Sequence, residues 1–146
     1  MLDKLTADIK TAMREKDKVR LMTLRGVKSV ADGIAKKETR DTTTADVENA
    51  IIHGIKQRNE AITIYVDKDR EDLADNERVE VAILEEFLPE QLTEAEVSSL
   101  VDEVIAKTGA TTKKDMGKVM GAINGQIAKG AADMKLVSKL VGSKLN

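Results

Sequence analysis

Residues 86–97 read EFLPEQLTEAEV. Pro89 is the one proline of the chain, and the residue before a proline is pushed away from helical angles. A helix arriving from the N-terminal side therefore ends here. Shortly afterwards Thr93 is followed at the third place by Glu96, the spacing at which a hydroxyl and a carboxylate satisfy each other's backbone amides as a capping box. One helix stops and another starts within this segment. It divides the chain into an N-terminal helical domain, 1–90, and a C-terminal domain, 91–146.

Moving outward in both directions, apolar residues recur with helical rather than strand period. Upstream, the spacing predicts helices over roughly 2–14 (Leu2, Leu5, Ile9 and Met13 or Ala12 inward) and 17–37 (Leu21, Leu24, Val27, Ala31, Ile34). The polar segment ETRDTTT interrupts the pattern. Thr43 with Asp46 then caps a third helix over 44–66, with Val47, Ile51, Ile55, Ile62 and Tyr65 or Val66 inward. DKDREDL reads as a turn or a frayed helix end, and a fourth helix follows over 71–87 with Leu73, Val81, Leu84 and Leu88 inward. Downstream of Pro89, Val97, Leu100, Val101, Val104 and Ile105 form a stripe that ends at Gly109, a residue suited to the position just past a helix. Thr112 with Asp115 caps the next helix, which frays between Gly125 and Gly130, and Asp133 caps the last, with Leu136, Val137, Leu140, Val141 and Leu145 inward. The expected fold class is all-α, in two helical units: a larger N-terminal one and a C-terminal three-helix bundle.

Composition agrees. Of the 146 residues, 34% are charged and only 1% aromatic, which suits helices with solvated faces better than strands. The absence of cysteine removes disulfides, thiolate metal sites and a cysteine nucleophile. The start, MLDKLTADIK, lacks the apolar run of a secretory signal, and no stretch approaches the ~18 apolar residues of a membrane span. A cytoplasmic protein without membrane contact is expected. The net charge of −2 conceals an uneven distribution: residues 1–40 hold 11 Lys/Arg against 6 Asp/Glu, residues 41–106 hold 5 against 18, and residues 107–146 hold 8 lysines against Asp115 and Asp133 alone. A basic tail beside an acidic middle suits a polyanion, or else ordinary solvated helix faces.

The segment KKDMGKVMGAING (113–125) carries the sharpest functional signal. Gly117, Gly121 and Gly125 recur at every fourth position of a helical pattern, although a mid-helix glycine costs roughly 1 kcal/mol relative to alanine. At ~100° per residue they share a face with Lys114 and Lys118, opposite Met116, Val119, Met120, Ile123 and Ile127. Two readings stand: a bare backbone that lets a phosphate backbone approach lysines, or a close contact with another helix. KDMGKVMG (114–121) is echoed by KLVSKLVG (135–142), which repeats Lys114, Lys118 and Gly121 as Lys135, Lys139 and Gly142. The candidate RNA-binding set is therefore Lys113, Lys114, Gly117, Lys118, Gly121, Lys135 and Lys139. Lys18, Arg25 and Lys28 form a weaker second basic face.

With Tyr65 and Phe87 the only aromatics, base stacking on single strands is not expected; shape and backbone recognition of a folded RNA fits better, and no DNA partner is expected. His53 is the one histidine, and no nucleophile–base pair, metal cluster or phosphate-binding glycine loop is discernible. No catalytic residue, metal or cofactor is assigned.

The order IKQRNEAI (55–62), EFLPEQLTEAEV (86–97), KDMGKVMGAI (114–123) and KLVSKLV (135–141) resembles the YqeY-like, or GatB/YqeY, family over essentially the whole chain. DMGKVMG together with LPEQL is the more specific part; KQR alone is weak. The resemblance implies two helical domains, the second similar to the tail of the B subunit of the glutamine-dependent aspartyl/glutamyl-tRNA amidotransferase, which helps to hold the tRNA body. It places tRNA-like contacts around Asp115, Met116, Gly117, Lys118 and Gly121, with Asp115 more a helix cap than a contact. The large N-terminal catalytic domain of that subunit has no counterpart here, so any carbon–nitrogen ligase label would come from the resemblance alone. The expectations are a stand-alone tRNA-binding or tRNA-associated accessory protein, a module that docks a partner helix on the glycine face, or a non-catalytic part of an amidotransferase assembly.

Overall fold

The computed structural model describes residues 1–146, and it is helical throughout, with no strand. The chain folds into two compact units, Met1–Phe87 and Leu88–Asn146.

The first unit contains α1 (Leu2–Glu15), α2 (Lys18–Lys37), α3 (Thr44–Asp67) and α4 (Glu71–Glu85). The most extensive packing is between α3 and α4, with α2 set on α3 and α1 on α2. Leu5, Leu24, Ile51 and Leu84 are fully buried at its centre, each side chain contributing about 1.5–3 kcal/mol relative to exposure. Sharp turns join α1 to α2 and α3 to α4, with Lys16 and Asp69 in left-handed backbone conformations.

The second unit is a three-helix bundle of α5 (Glu94–Thr108), α6 (Met116–Gln126) and α7 (Met134–Lys144), with a 3-10 turn at Lys113–Asp115 leading into α6. Val97, Val101 and Val104 from α5 meet Val119 and Ile123 from α6 and Val137 and Val141 from α7. The caps sit where the spacing put them. Thr93 accepts from the Glu96 amide while Glu96 accepts from the Thr93 amide, Gly109 takes the left-handed conformation after α5, and Asp133 accepts from the Lys135 amide to start α7.

One open choice is settled and two assignments change. Ala12 rather than Met13 is buried on α1. On α2, Ala35 is buried and Ile34 is exposed, because apolar residues cover more of the circumference of α2 than its neighbours do. α4 stops at Glu85 rather than 87; the turn that follows buries Phe87 under Lys4, whose Nζ lies 4.6 Å from the ring centroid, while Leu88 is only half-buried.

Candidate nucleic-acid interface

The segment that carries the glycine row is held at its entrance by two hydrogen bonds to one carboxylate. Asp115 Oδ2 accepts from the amides of Thr111 (3.0 Å) and Thr112 (3.2 Å). Chiefly the Thr111 bond, then that of Thr112, holds this carboxyl below its ordinary range, because a hydrogen-bonded carboxylate resists protonation. The end of the chain closes over the same loop. The Asn146 amide donates to the Thr111 carbonyl (3.2 Å) and the Lys113 amide to the Asn146 carbonyl (3.3 Å).

From there α6 presents two faces. Val119 and Ile123 are buried, and Met116 and Met120 are half-buried. Gly117, Gly121 and Gly125 lie on the opposite, exposed face, and a Cβ placed on any of them would meet no heavy atom within 4 Å. No other helix of the C-terminal unit lies against the row, so a close helix–helix contact within that bundle does not account for it. Gly142, the counterpart of Gly121 in the α7 echo, faces inward instead: its Cβ would lie 4.0 Å from Met116 Cε.

The candidate lysines Lys113, Lys114, Lys118, Lys135 and Lys139 are all exposed. Lys118 also has a structural partner, its Nζ donating to the Thr108 carbonyl at the C-terminal end of α5 (3.1 Å), where a cation offsets the negative end of the helix dipole. Two other lysines of the tail are neutralised by α5 carboxylates: Lys144 pairs with Asp102 and Lys107 with Glu103, each at 2.7 Å. Lys113, Lys114, Lys135 and Lys139 have no such pairing. Lys135 and Lys139 stand one turn apart on α7, opposite Val137 and Val141. Lys114 and Lys118 project from α6 and the turn before it, so the two lysine pairs belong to outward faces of different helices in the bundle.

In the first unit, sequence reasoning missed two polar clusters. Asp46, 4% exposed, receives both terminal nitrogens of Arg40 (2.6 and 2.9 Å) as well as the Thr43 amide (2.9 Å). The Arg40 guanidinium first, then the Thr43 amide, holds its carboxyl far below the ordinary range. Next to it, Asp32 accepts from Lys28 and Thr42, so Lys28 of the second basic face is committed to an ion pair. The other cluster joins three helices. Arg58 of the KQR segment donates to the Gly54 carbonyl (3.1 Å) and faces Glu80 (3.6 Å), and Glu80 also receives the Thr23 hydroxyl (3.3 Å). Arg58 thus packs within the unit. His53 lies exposed on α3, and no three His, Cys, Asp or Glu side chains converge as metal ligands. No helix is long and apolar enough to cross a membrane.

Fold and surface together define a two-unit helical protein whose C-terminal bundle displays a glycine- and lysine-bearing helix. The chain belongs to the YqeY-like family, whose profile, described as "Yqey-like protein", matches residues 2–145. It is also similar to proteins named "Altered inheritance of mitochondria protein 41, mitochondrial". With that of Pyrenophora tritici-repentis it is 31% identical over 150 residues, 99% of this chain and 82% of the relative. With those of Kluyveromyces lactis and Lachancea thermotolerans it is 32% and 31% identical over 127 and 125 residues. These alignments span 79% and 78% of this chain and 66% and 65% of the relatives.

Proposed function

We propose that this protein is a stand-alone tRNA-binding or tRNA-associated accessory protein, acting in the cytoplasm, whose C-terminal unit holds the sugar-phosphate backbone of a structured RNA. The observation that carries the reading is the solvent face of α6. Three helical glycines open onto empty space, and Lys113 and Lys114 stand beside them exposed and without an ion-pair partner. Bare backbone admits a phosphate closely, and unpaired lysines supply the charge. Lys118, Lys135 and Lys139 extend the basic surface. The family resemblance to the amidotransferase B-subunit tail supplies tRNA as the RNA class.

Binding of the full chain to bulk tRNA over a salt series tests the proposal. Affinity should fall as salt rises, and Lys114→Glu should weaken it without unfolding the bundle. Lys114 is the cleaner site because Lys118→Glu would also remove the cap on α5. Negligible affinity at low salt, or affinity indifferent to Lys114→Glu, overturns the proposal.

The open space over the glycines equally favours a second reading, in which a partner protein lays a helix on the same face, for instance within an amidotransferase assembly. In that case Gly121→Leu abolishes capture of a nuclease-resistant partner, and Lys114→Glu leaves it intact.

A further inference from the structure

The chain exposes nine large apolar side chains, and four of them, Val19, Met22, Val30 and Ile34, belong to α2. Met22 is 73% exposed. Val79 of α4, also exposed, lines a shallow groove of about 250 Å³ together with Val19, Met22, Asn76 and Glu80. Single exposed apolar residues are ordinary; a row of them beside a groove marks an interface. Val19, Met22, Gly26, Val30 and Gly33 follow one another at intervals of three and four, the spacing of a helix–helix seam. A Cβ at Gly26 or Gly33 would meet nothing, so a second helix can approach closely there.

Charge identifies the occupant. The edge of the row away from α4 carries Lys18 and Arg25, neither of which has an ion pair; Arg25 reaches only the sulfur of Met13. The opposite edge is α4, where Asp72 pairs with Arg70 (3.1 Å) and Arg78 is shared by Glu71 (2.9 Å) and Asp75 (2.6 Å), so three carboxylates face two guanidinium groups and the edge keeps an acidic excess. α4 runs antiparallel to α2, because Glu86 pairs with Arg20 (2.7 Å) and Glu80 with Thr23 (3.3 Å). Continuing that progression brings Asp75 and Asp72 toward the level of Arg25. The face therefore has one basic and one acidic edge with an apolar seam between them.

We propose that this face is a self-association surface on which a second copy of the chain docks through its own α2. A two-fold axis parallel to α2 exchanges the edges, setting Lys18 and Arg25 of each copy against Asp72 and Asp75 of the other and Met22 against Met22. A two-fold axis across α2 would oppose like charges. The self-complementary face is what an isologous dimer requires. The inference is independent of the RNA reading, which concerns the other unit.

Sedimentation of the full chain over a concentration series tests it. The mass should rise from 15.9 kDa toward twice that value. Met22→Lys, at a site too exposed to disturb the fold, should keep the chain monomeric with unchanged helical circular dichroism. Arg25→Glu should weaken association about tenfold, since the contact occurs twice, and Arg25→Glu with Asp75→Lys should restore it. Because the chain has no cysteine, Met22→Cys should give a disulfide-linked pair on mild oxidation. A monomer at every concentration, or a dimer that survives Met22→Lys, overturns the proposal; so does a dimer in which Met22→Cys does not cross-link, because the two-fold axis then lies elsewhere.

Discussion

Replacing Gly121 by alanine should make the protein more stable and a poorer RNA binder. Gly121 lies in the middle of α6, a helix of 11 residues, and the added methyl would meet nothing within 4 Å. The substitution therefore collects the helix-propensity difference, about 1 kcal/mol, with no steric penalty to set against it. Gly117 lies in the first turn and Gly125 in the last, where fewer backbone bonds depend on the residue, so each contributes about half as much. The triple substitution should stabilise the second unit by roughly 2 kcal/mol. Hydrogen exchange of α6 amides is the direct assay, because the two units need not unfold together; protection should rise by more than about tenfold. Binding to bulk tRNA by the same variants should weaken, since each methyl holds the RNA backbone away from the helix. A loss of protection would mean that the row packs against something in the native protein, and the reasoning from open space would fail. Raised protection with unchanged RNA affinity would remove the row from the binding surface.

Gly54→Ala should lag behind Gly121→Ala by about 1 kcal/mol or more, because its Cβ would come within 3.1 Å of an Arg58 terminal nitrogen and 3.4 Å of Leu84 Cδ1; urea melts of the two variants decide this. Thr93→Ala should cost about 1 kcal/mol and expose the first-turn amides of α5 to exchange. The first unit should lose stability on acidification. The Asp46 carboxyl is depressed in the folded state, so its contribution is complete above the ordinary aspartate pKa of about 4 and is lost as the pH falls below it. Asp46→Asn should flatten that part of the stability–pH curve; an unchanged slope refutes the assignment.

The helices were legible because their ends are chemically marked. Thr43–Asp46, Thr93–Glu96 and Thr112–Asp115 announce starts at fixed spacing, and each is a capping box in the structure. The exposed face of α6 was equally legible, since helical period alone sets Gly117, Gly121 and Gly125 opposite Val119 and Ile123. What escaped depends on neighbours. Helical period does not reveal that Ile34 is left uncovered, because that depends on how much of α2 the other helices reach. The Arg40–Asp46 pair requires the loop to reverse, with Thr39 in a left-handed conformation, before a side chain six residues upstream can return to the helix start. The bond from Lys118 to Thr108 depends on the packing of α6 against α5, which no local spacing encodes.

That bond bears on how the α6 face works. A surface that recognises RNA by backbone shape must present its charges in a fixed arrangement, because mobile lysines forfeit conformational entropy on binding. Here Asp115 gathers the amides before α6, the chain end pairs with Thr111 and Lys113, and Lys118 ties the helix to the end of α5. Lys118 then supplies charge from a fixed position, and Lys113 and Lys114 are displayed on a turn whose backbone is already held. Lys118→Met removes both roles at once, since it keeps most of the side-chain stem and loses the charge and the cap, and a salt series then separates them. If fixed presentation matters, this substitution should lower tRNA affinity by more than the loss of one phosphate contact. The salt slope should fall by about one, and the remaining deficit should persist at high salt. A deficit that disappears entirely as salt rises would reduce Lys118 to a single point charge.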